Sequence, residues 1–163
     1  SGKSMYAERL ALSLTDQPIY FATARIWDEE FKERVKRHQA RRGDNWTNIE
    51  EEKYLSHHTI YNKVCVVDCI TLWCTNFFFD ANQNNPKEPV IDEALDAIKK
   101  EFDQFTAQDA TFIFVTNEIG SGGVSDNVVQ RRFTDMEGWM NQYVASKADE
   151  VVLMVSGIPV KIK

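Results

Sequence analysis

The sequence predicts an α/β sandwich with a largely parallel sheet, and two observations carry that expectation. Four short stretches, residues 18–22, 64–68, 111–116 and 151–155, are apolar without alternation, as strands covered on both faces are. Between them lie segments with the period or the composition of helices, the arrangement of β–α–β units. The length of 163 residues, with 43% hydrophobic and 27% charged residues, fits one domain with a sizeable core and excludes a disordered chain.

Residues 4–14 are rich in Ala, Leu and Glu, which favour helix. The run at 18–22 is a strand. Asp28 caps a helix reaching about Arg41; Glu29 and Glu30 open it while Arg37, Arg41 and Arg42 close it, as the helix dipole favours. Residues 50–60 read as helical, and 64–68 as a strand ending in a carboxylate. Residues 80–89, rich in Asn, Gln and Pro, read as a surface loop too short to separate domains. Over 91–105, Ile91, Ala94, Leu95, Ile98, Phe102 and Phe105 recur on one helical face. A strand at 111–116, a long helix at 127–147 and a strand at 151–155 follow, and then Gly157-Ile158-Pro159 leads into a final Val160-Lys161-Ile162.

The net charge of −6 argues against sequence-independent binding of nucleic acid, which needs clustered positive charge. No apolar run approaches the roughly 18 residues of a membrane-spanning helix, and no secretory signal is visible, so a soluble, cytoplasmic protein is expected. In that setting Cys65, Cys69 and Cys74, with no C-x-x-C pair, read as small buried hydrophobes, and the sequon Asn45-Trp46-Thr47 carries no meaning.

In parallel sheets ligands bind beyond the carboxyl ends of the strands, which picks out Thr23, Asp68 and Asn117-Glu118. Ser1-Gly2-Lys3-Ser4 is the second half of a phosphate-binding loop, in which Lys3 would meet the β- and γ-phosphates and Ser4 would ligate Mg²⁺; Gly-Lys-Ser is equally a common exposed turn. The first half of that loop and its strand are not in the sequence, and the expectation is that the numbering begins within a longer polypeptide. Asp68 is placed either to hold Mg²⁺ or to cap the next helix.

Residues 32–42 carry six basic side chains and one acidic one. They are either a solvated helix face or a grip for a polyphosphate, with His38 at the centre. Cationic neighbours favour the neutral imidazole, whose free nitrogen is a nucleophile. His57 and His58 read as exposed bystanders. The glycines of residues 117–123 allow either close approach of a ligand or a mobile lid. Trp46, Trp73 and Trp139 read first as core residues and second as stacking platforms.

Ser1-Gly2-Lys3-Ser4 with Ala7-Glu8, Tyr20 to Ala24, Arg34 to His38 with Arg41, and Trp46, Thr47 and Glu50 resemble the bifunctional adenosylcobinamide kinase / adenosylcobinamide-phosphate guanylyltransferase family. Asp68 to Trp73 with Asn76, Thr116 to Gly120, Phe133, Asp135, Gly138, Asn141-Gln142 and the segments 148–150 and 156–163 extend the resemblance over nearly the whole chain.

The resemblance implies a RecA-like P-loop NTPase three-layer sandwich, with residues 1–163 forming a single nucleotide-binding domain. It implies that adenosylcobinamide is phosphorylated at its alcohol. GMP from GTP then passes to adenosylcobinamide phosphate through a guanylyl-histidine at His38, releasing pyrophosphate. By the same resemblance Gly2, Lys3, Ser4, Ala22, Thr23, Ala24, Gln39, Ala40, Arg41, Arg42, Glu50 and Asp68 bind nucleotide. Ser4 and Asp68 hold Mg²⁺, GTP and ATP are substrates, and the assembly is a homo-oligomer, a trimer. Two departures stand out: Ser121 to Ser125, where the family usually has Gly-Ile-Val-Pro, and Thr134 in place of an Arg. The alternatives are a P-loop small-molecule kinase without guanylyl transfer, which has no use for His38, and a nucleotide-binding regulatory module.

Overall fold

The structure, a computed structural model, describes the backbone of residues 1–163 and every side chain except those of Arg34 and His38. Its elements run α1 (Lys3–Leu14), β1 (Ile19–Ala22), α2 (Glu29–Arg41), β2 (Thr47–Glu50), β3 (Val64–Asp68), α3 (Ile70–Ala81), α4 (Asp92–Thr106), β4 (Thr111–Val115), α5 (Val128–Lys147), β5 (Val152–Val155) and β6 (Ile158–Lys161). The first four strands form one parallel sheet in the order β2-β1-β3-β4. The last two make an antiparallel hairpin, turning through Ser156 and Gly157, both at positive φ as a two-residue hairpin turn demands.

Alternate residues of the strands go to opposite faces, and both faces are apolar. Ile19, Phe21, Cys65 and Val67 join α3, α4 and α5 in the larger core, with Phe112 and Phe114 packed against it. Tyr20, Val66 and Val115 face α1 through Ala7 and Ala11, together with Trp46. Helices on both sides of a parallel sheet make the expected three layers. The predicted face of α4 is buried throughout, from Ile91 to Phe105. Asp28 caps α2 as expected, its carboxylate accepting the Phe31 N–H at 2.7 Å.

Three expectations need correction, and one helix was not foreseen. Residues 50–60 are not helical: Thr47–Glu50 pairs in parallel with β1, and Leu55–His57 is a single 3₁₀ turn. The helix-favouring Glu51 spends its side chain on the N–H groups of Lys53 and Tyr54, at 3.0 Å each, and so closes a turn. Helix α3 has no amphipathic period to read, because Ile70, Trp73, Cys74, Asn76, Phe77 and Phe78 are all buried. Trp46 and Trp73 are core residues, whereas Trp139 is 45% exposed on α5. His58 is half-buried, its ring edge-on to Phe21 and its Nε2 3.2 Å from a Glu51 oxygen. The three cysteines are free and buried; burial pushes the Cys65 thiol up to about 12 and Cys69 to about 11, so neither is a ready nucleophile.

Candidate active site

The N-terminus of α1 and the carboxyl ends of β1, β3 and β4 meet at one open cleft of about 480 Å³. Gly2 enters α1 at φ +92°, and a Cβ there would stand 3.2 Å from the Gly157 Cα, so both backbone conformation and space call for glycine. The helix then starts without a side-chain cap, leaving its first-turn N–H groups available to an anion.

Ser4 donates its hydroxyl proton to Asp68 Oδ2 at 2.6 Å, and the Tyr20 hydroxyl donates to the same oxygen at 2.5 Å. Asp68 Oδ1 takes no hydrogen bond among the described residues. Burial and the Asp68 charge raise the Tyr20 pKa well above the usual phenol range, keeping Tyr20 a donor. The Arg42 guanidinium stacks 3.5 Å from the centre of the Tyr20 ring and bonds Asn48 through Nε at 2.8 Å. Glu8 of α1 accepts from Arg41 at 2.8 Å and lies 3.6 Å from Arg42. One polar chain thus joins α1, the end of α2, β1 and β3.

Lys3 lines the cleft beside Ser4, and so do Ala22, Ala24, Arg41 and Arg42. Thr23 is fully buried; its hydroxyl donates to the Cys69 carbonyl at 2.8 Å and accepts the Cys69 N–H at 2.9 Å, clamping the end of β1 to the end of β3. Gln39 reaches from α2 to Glu50 of β2 at 3.0 Å, while Ala40 is exposed. The His38 side chain lies outside the described residues. Its backbone is in α2, from which Phe31, Val35 and Arg41 line the cleft.

Among the described residues no three His, Cys, Asp or Glu side chains stand close enough to hold a metal by themselves. The Ser4 hydroxyl beside the Asp68 carboxylate fits a hard cation that takes its other ligands from water and phosphate, as Mg²⁺ does. Thr71 and Asn117 line the same cleft. The strand-end rule finds Asn117, but Glu8 and Tyr20 enter only through the family resemblance. A sequence signal for Glu137, described below, is its place in the apolar register of Phe133, Met136 and Met140.

A profile of the family described as cobinamide kinase / cobinamide phosphate guanyltransferase matches residues 1–162. The chain belongs to this family. It is 37% identical to the bifunctional adenosylcobalamin biosynthesis protein CobU of Escherichia coli (strain K12), over all of this chain and 94% of that protein. Identity to the protein of the same name from Salmonella typhimurium is 36%, over all of this chain and 94% of that protein. The bifunctional adenosylcobalamin biosynthesis protein CobP of Pseudomonas aeruginosa is 32% identical, over all of this chain and 92% of its own length. Membership makes the chain a kinase and guanylyltransferase of adenosylcobalamin biosynthesis, with nucleotides as substrates. Among the described residues no helix is long and apolar enough to cross a membrane.

Proposed function

We propose that this chain phosphorylates the alcohol of adenosylcobinamide and then transfers GMP from GTP to the new phosphate through His38. The observation that carries this reading is the meeting of Lys3, Ser4, Asp68 and Arg42 in one cleft that Phe31, Val35 and Arg41 of α2, the helix whose backbone carries position 38, also line.

In the first reaction the nucleotide, GTP or ATP, lies with its β- and γ-phosphates at the start of α1. There the N–H groups and Lys3 hold them, and Ser4 and Asp68 hold Mg²⁺. The substrate hydroxyl oxygen bonds the γ-phosphorus as the bond to the β–γ bridging oxygen breaks. The nucleoside diphosphate leaves with that electron pair, and the alcohol proton passes to water. Mg²⁺ supplies charge neutralisation across the phosphate oxygens.

In the second reaction a neutral His38 nitrogen bonds the α-phosphorus of GTP while the bond to pyrophosphate breaks. A phosphate oxygen of the cobinamide then bonds that phosphorus as the phosphorus–nitrogen bond breaks and returns the electron pair to the imidazole. Arg41 and Arg42 offset the charge on the departing pyrophosphate. Ala22 and Ala24 line the cleft with Thr23 buried between them in the chain, and Gln39, Ala40 and Glu50 complete the nucleotide side next to α2.

The test is incubation with Mg²⁺ and GTP labelled at the α-phosphate. The expected product is acid-labile, base-stable label on the protein, absent in His38→Ala. Label that survives in His38→Ala overturns the nucleophile. A wild type that takes no label yet phosphorylates adenosylcobinamide is a plain kinase, and one that does neither is a nucleotide-binding module.

A further inference from the structure

Glu137 is a charged residue in an apolar position. It stands on α5 between Met136 and Met140 and, like both, is fully buried. From α3 it faces Thr71 and Cys74, from the end of β4 Thr116 and Glu118, and from its own helix Asn141. No cation pairs with it among the described residues, and its Oε2 has no partner there. Burial raises its pKa above the usual carboxylate value. All its bonding falls on Oε1, which takes the Thr71 hydroxyl proton at 3.0 Å and lies 3.4 Å from the Thr116 hydroxyl.

The consequence is directional. Thr71 has one proton, and when the carboxylate takes it the Thr71 oxygen can only accept. Asn117 supplies the donors: its backbone N–H stands 3.2 Å from that oxygen and its Nδ2 3.0 Å. Asn141 fixes the same residue from α5, donating to the Asn117 carbonyl at 2.9 Å, while its own Oδ1 receives the Thr116 proton at 2.6 Å. With Nδ2 turned to Thr71, the Asn117 Oδ1 is left without a partner among the described residues. Asn117 and Thr71 both line the cleft that holds Lys3, Ser4 and Asp68. An amide free to rotate would present either end; here the buried carboxyl selects the acceptor.

We propose that Glu137 is a positioning residue that, through Thr71, fixes Asn117 with its Oδ1 as an acceptor in the cleft, where it receives the hydroxyl of the alcohol to be phosphorylated. The identity of that alcohol rests on the kinase reading above; the orientation of Asn117 does not. An acceptor at this place receives the hydrogen bond of the alcohol O–H, whose proton still passes to water, and leaves the oxygen lone pairs for the γ-phosphorus. The opposite orientation would set an amide donor against a lone pair needed for attack.

Two readouts test the assignment. In ¹⁵N-labelled protein the Asn117 side-chain amide, identified by its loss in Asn117→Asp, is expected to shift as the Glu137 carboxyl titrates. In Glu137→Leu it moves from its wild-type position, and in Glu137→Gln, whose amide oxygen can still take the Thr71 proton, it stays near that position and loses its pH dependence. In kinase assays Glu137→Leu is expected to raise KM for adenosylcobinamide about tenfold, the loss of one oriented hydrogen bond. KM for the nucleotide does not move, and Glu137→Gln recovers most of the loss. The melting midpoint of Glu137→Leu does not fall, since an apolar residue removes a buried unpaired oxygen. An Asn117 signal identical in wild type and Glu137→Leu at every pH overturns the proposal, as does a Leu variant that changes stability alone. A wild type inactive toward adenosylcobinamide refutes the kinase reading and with it the alcohol as occupant; the amide signal then decides the positioning role by itself.

Discussion

On the α3–α5 face of the sheet, Phe21, Trp73 and Phe105 are fully buried in an apolar cluster, with Phe21 edge-on to Phe105 at 5.3 Å. On the α1 face, Tyr20 and Trp46 share their layer with Glu8, Arg42 and Asp68. Outside the Glu137 network the first face is held mainly by contacts that have no direction, each buried aromatic contributing roughly 2–3 kcal/mol. The second is held by a chain of oriented bonds in which the loss of one partner leaves another unpaired. Stability and chemistry therefore draw on different residues of the same strands: Phe21 and Tyr20 are neighbours in β1 and point to opposite faces.

That division can be broken by substitution. The largest effect is expected from His38→Ala, which abolishes the protein-bound guanylyl label while the urea midpoint stays at its wild-type value. A shifted midpoint would make position 38 structural. Phe21→Ala is expected to cost about 3–5 kcal/mol in urea unfolding, with label stoichiometry per folded molecule unchanged. Asp68→Asn should lower turnover about 10²–10³-fold in both reactions and leave the midpoint nearly in place. A variant that instead melted early with normal turnover would move Asp68 to the structural side. Tyr20→Phe removes one donor to Asp68 and is expected to raise KM for the Mg²⁺ nucleotide about tenfold.

The smallest effect concerns the ion pairs outside both faces. Arg25 donates to both Asp80 oxygens, at 2.8 and 3.0 Å, and Lys53 adds a third bond at 3.1 Å. Arg25 above all holds the Asp80 carboxyl at about 2, below its ordinary 3.8. Its contribution is present above 3.8 and lost as the pH falls toward about 2. Asp80→Asn should lose on the order of 1 kcal/mol at neutral pH, with the difference from wild type vanishing through that acid window in urea titrations.

The strands β1, β3 and β4 were legible because both faces are apolar, and α4 because one is. Edge strand β2 was hidden by its sequence, Thr-Asn-Ile-Glu, which buries little and runs into helix-favouring Glu51 and Glu52. Helix α3 was hidden for the opposite reason, being buried on too many sides for a period to show. The meeting of Gly2-Lys3-Ser4 with Asp68 at one cleft was legible, because these are short motifs whose chemistry is local. The roles of Glu8 and Thr71 were not, because they arise from contacts between residues far apart in sequence: Glu8 and Arg41 are 33 positions apart, Thr71 and Glu137 66. The residue pattern of the family carried the α2 assignments that periodicity alone left open.

The contact between Gly157 and the start of α1 bears on the order of assembly. The Gly157 N–H donates to the Ser1 carbonyl at 2.9 Å, and the Gly157 Cα packs closely against Gly2. A contact spanning more than 150 residues carries a large loop-closure cost unless the intervening chain has already folded. The parallel sheet and its helices can thus form on a ribosome before the hairpin emerges, while the turn leading into Lys3 still lacks the neighbour that braces it. A nascent chain would acquire its fold first and the proposed phosphate loop its brace last.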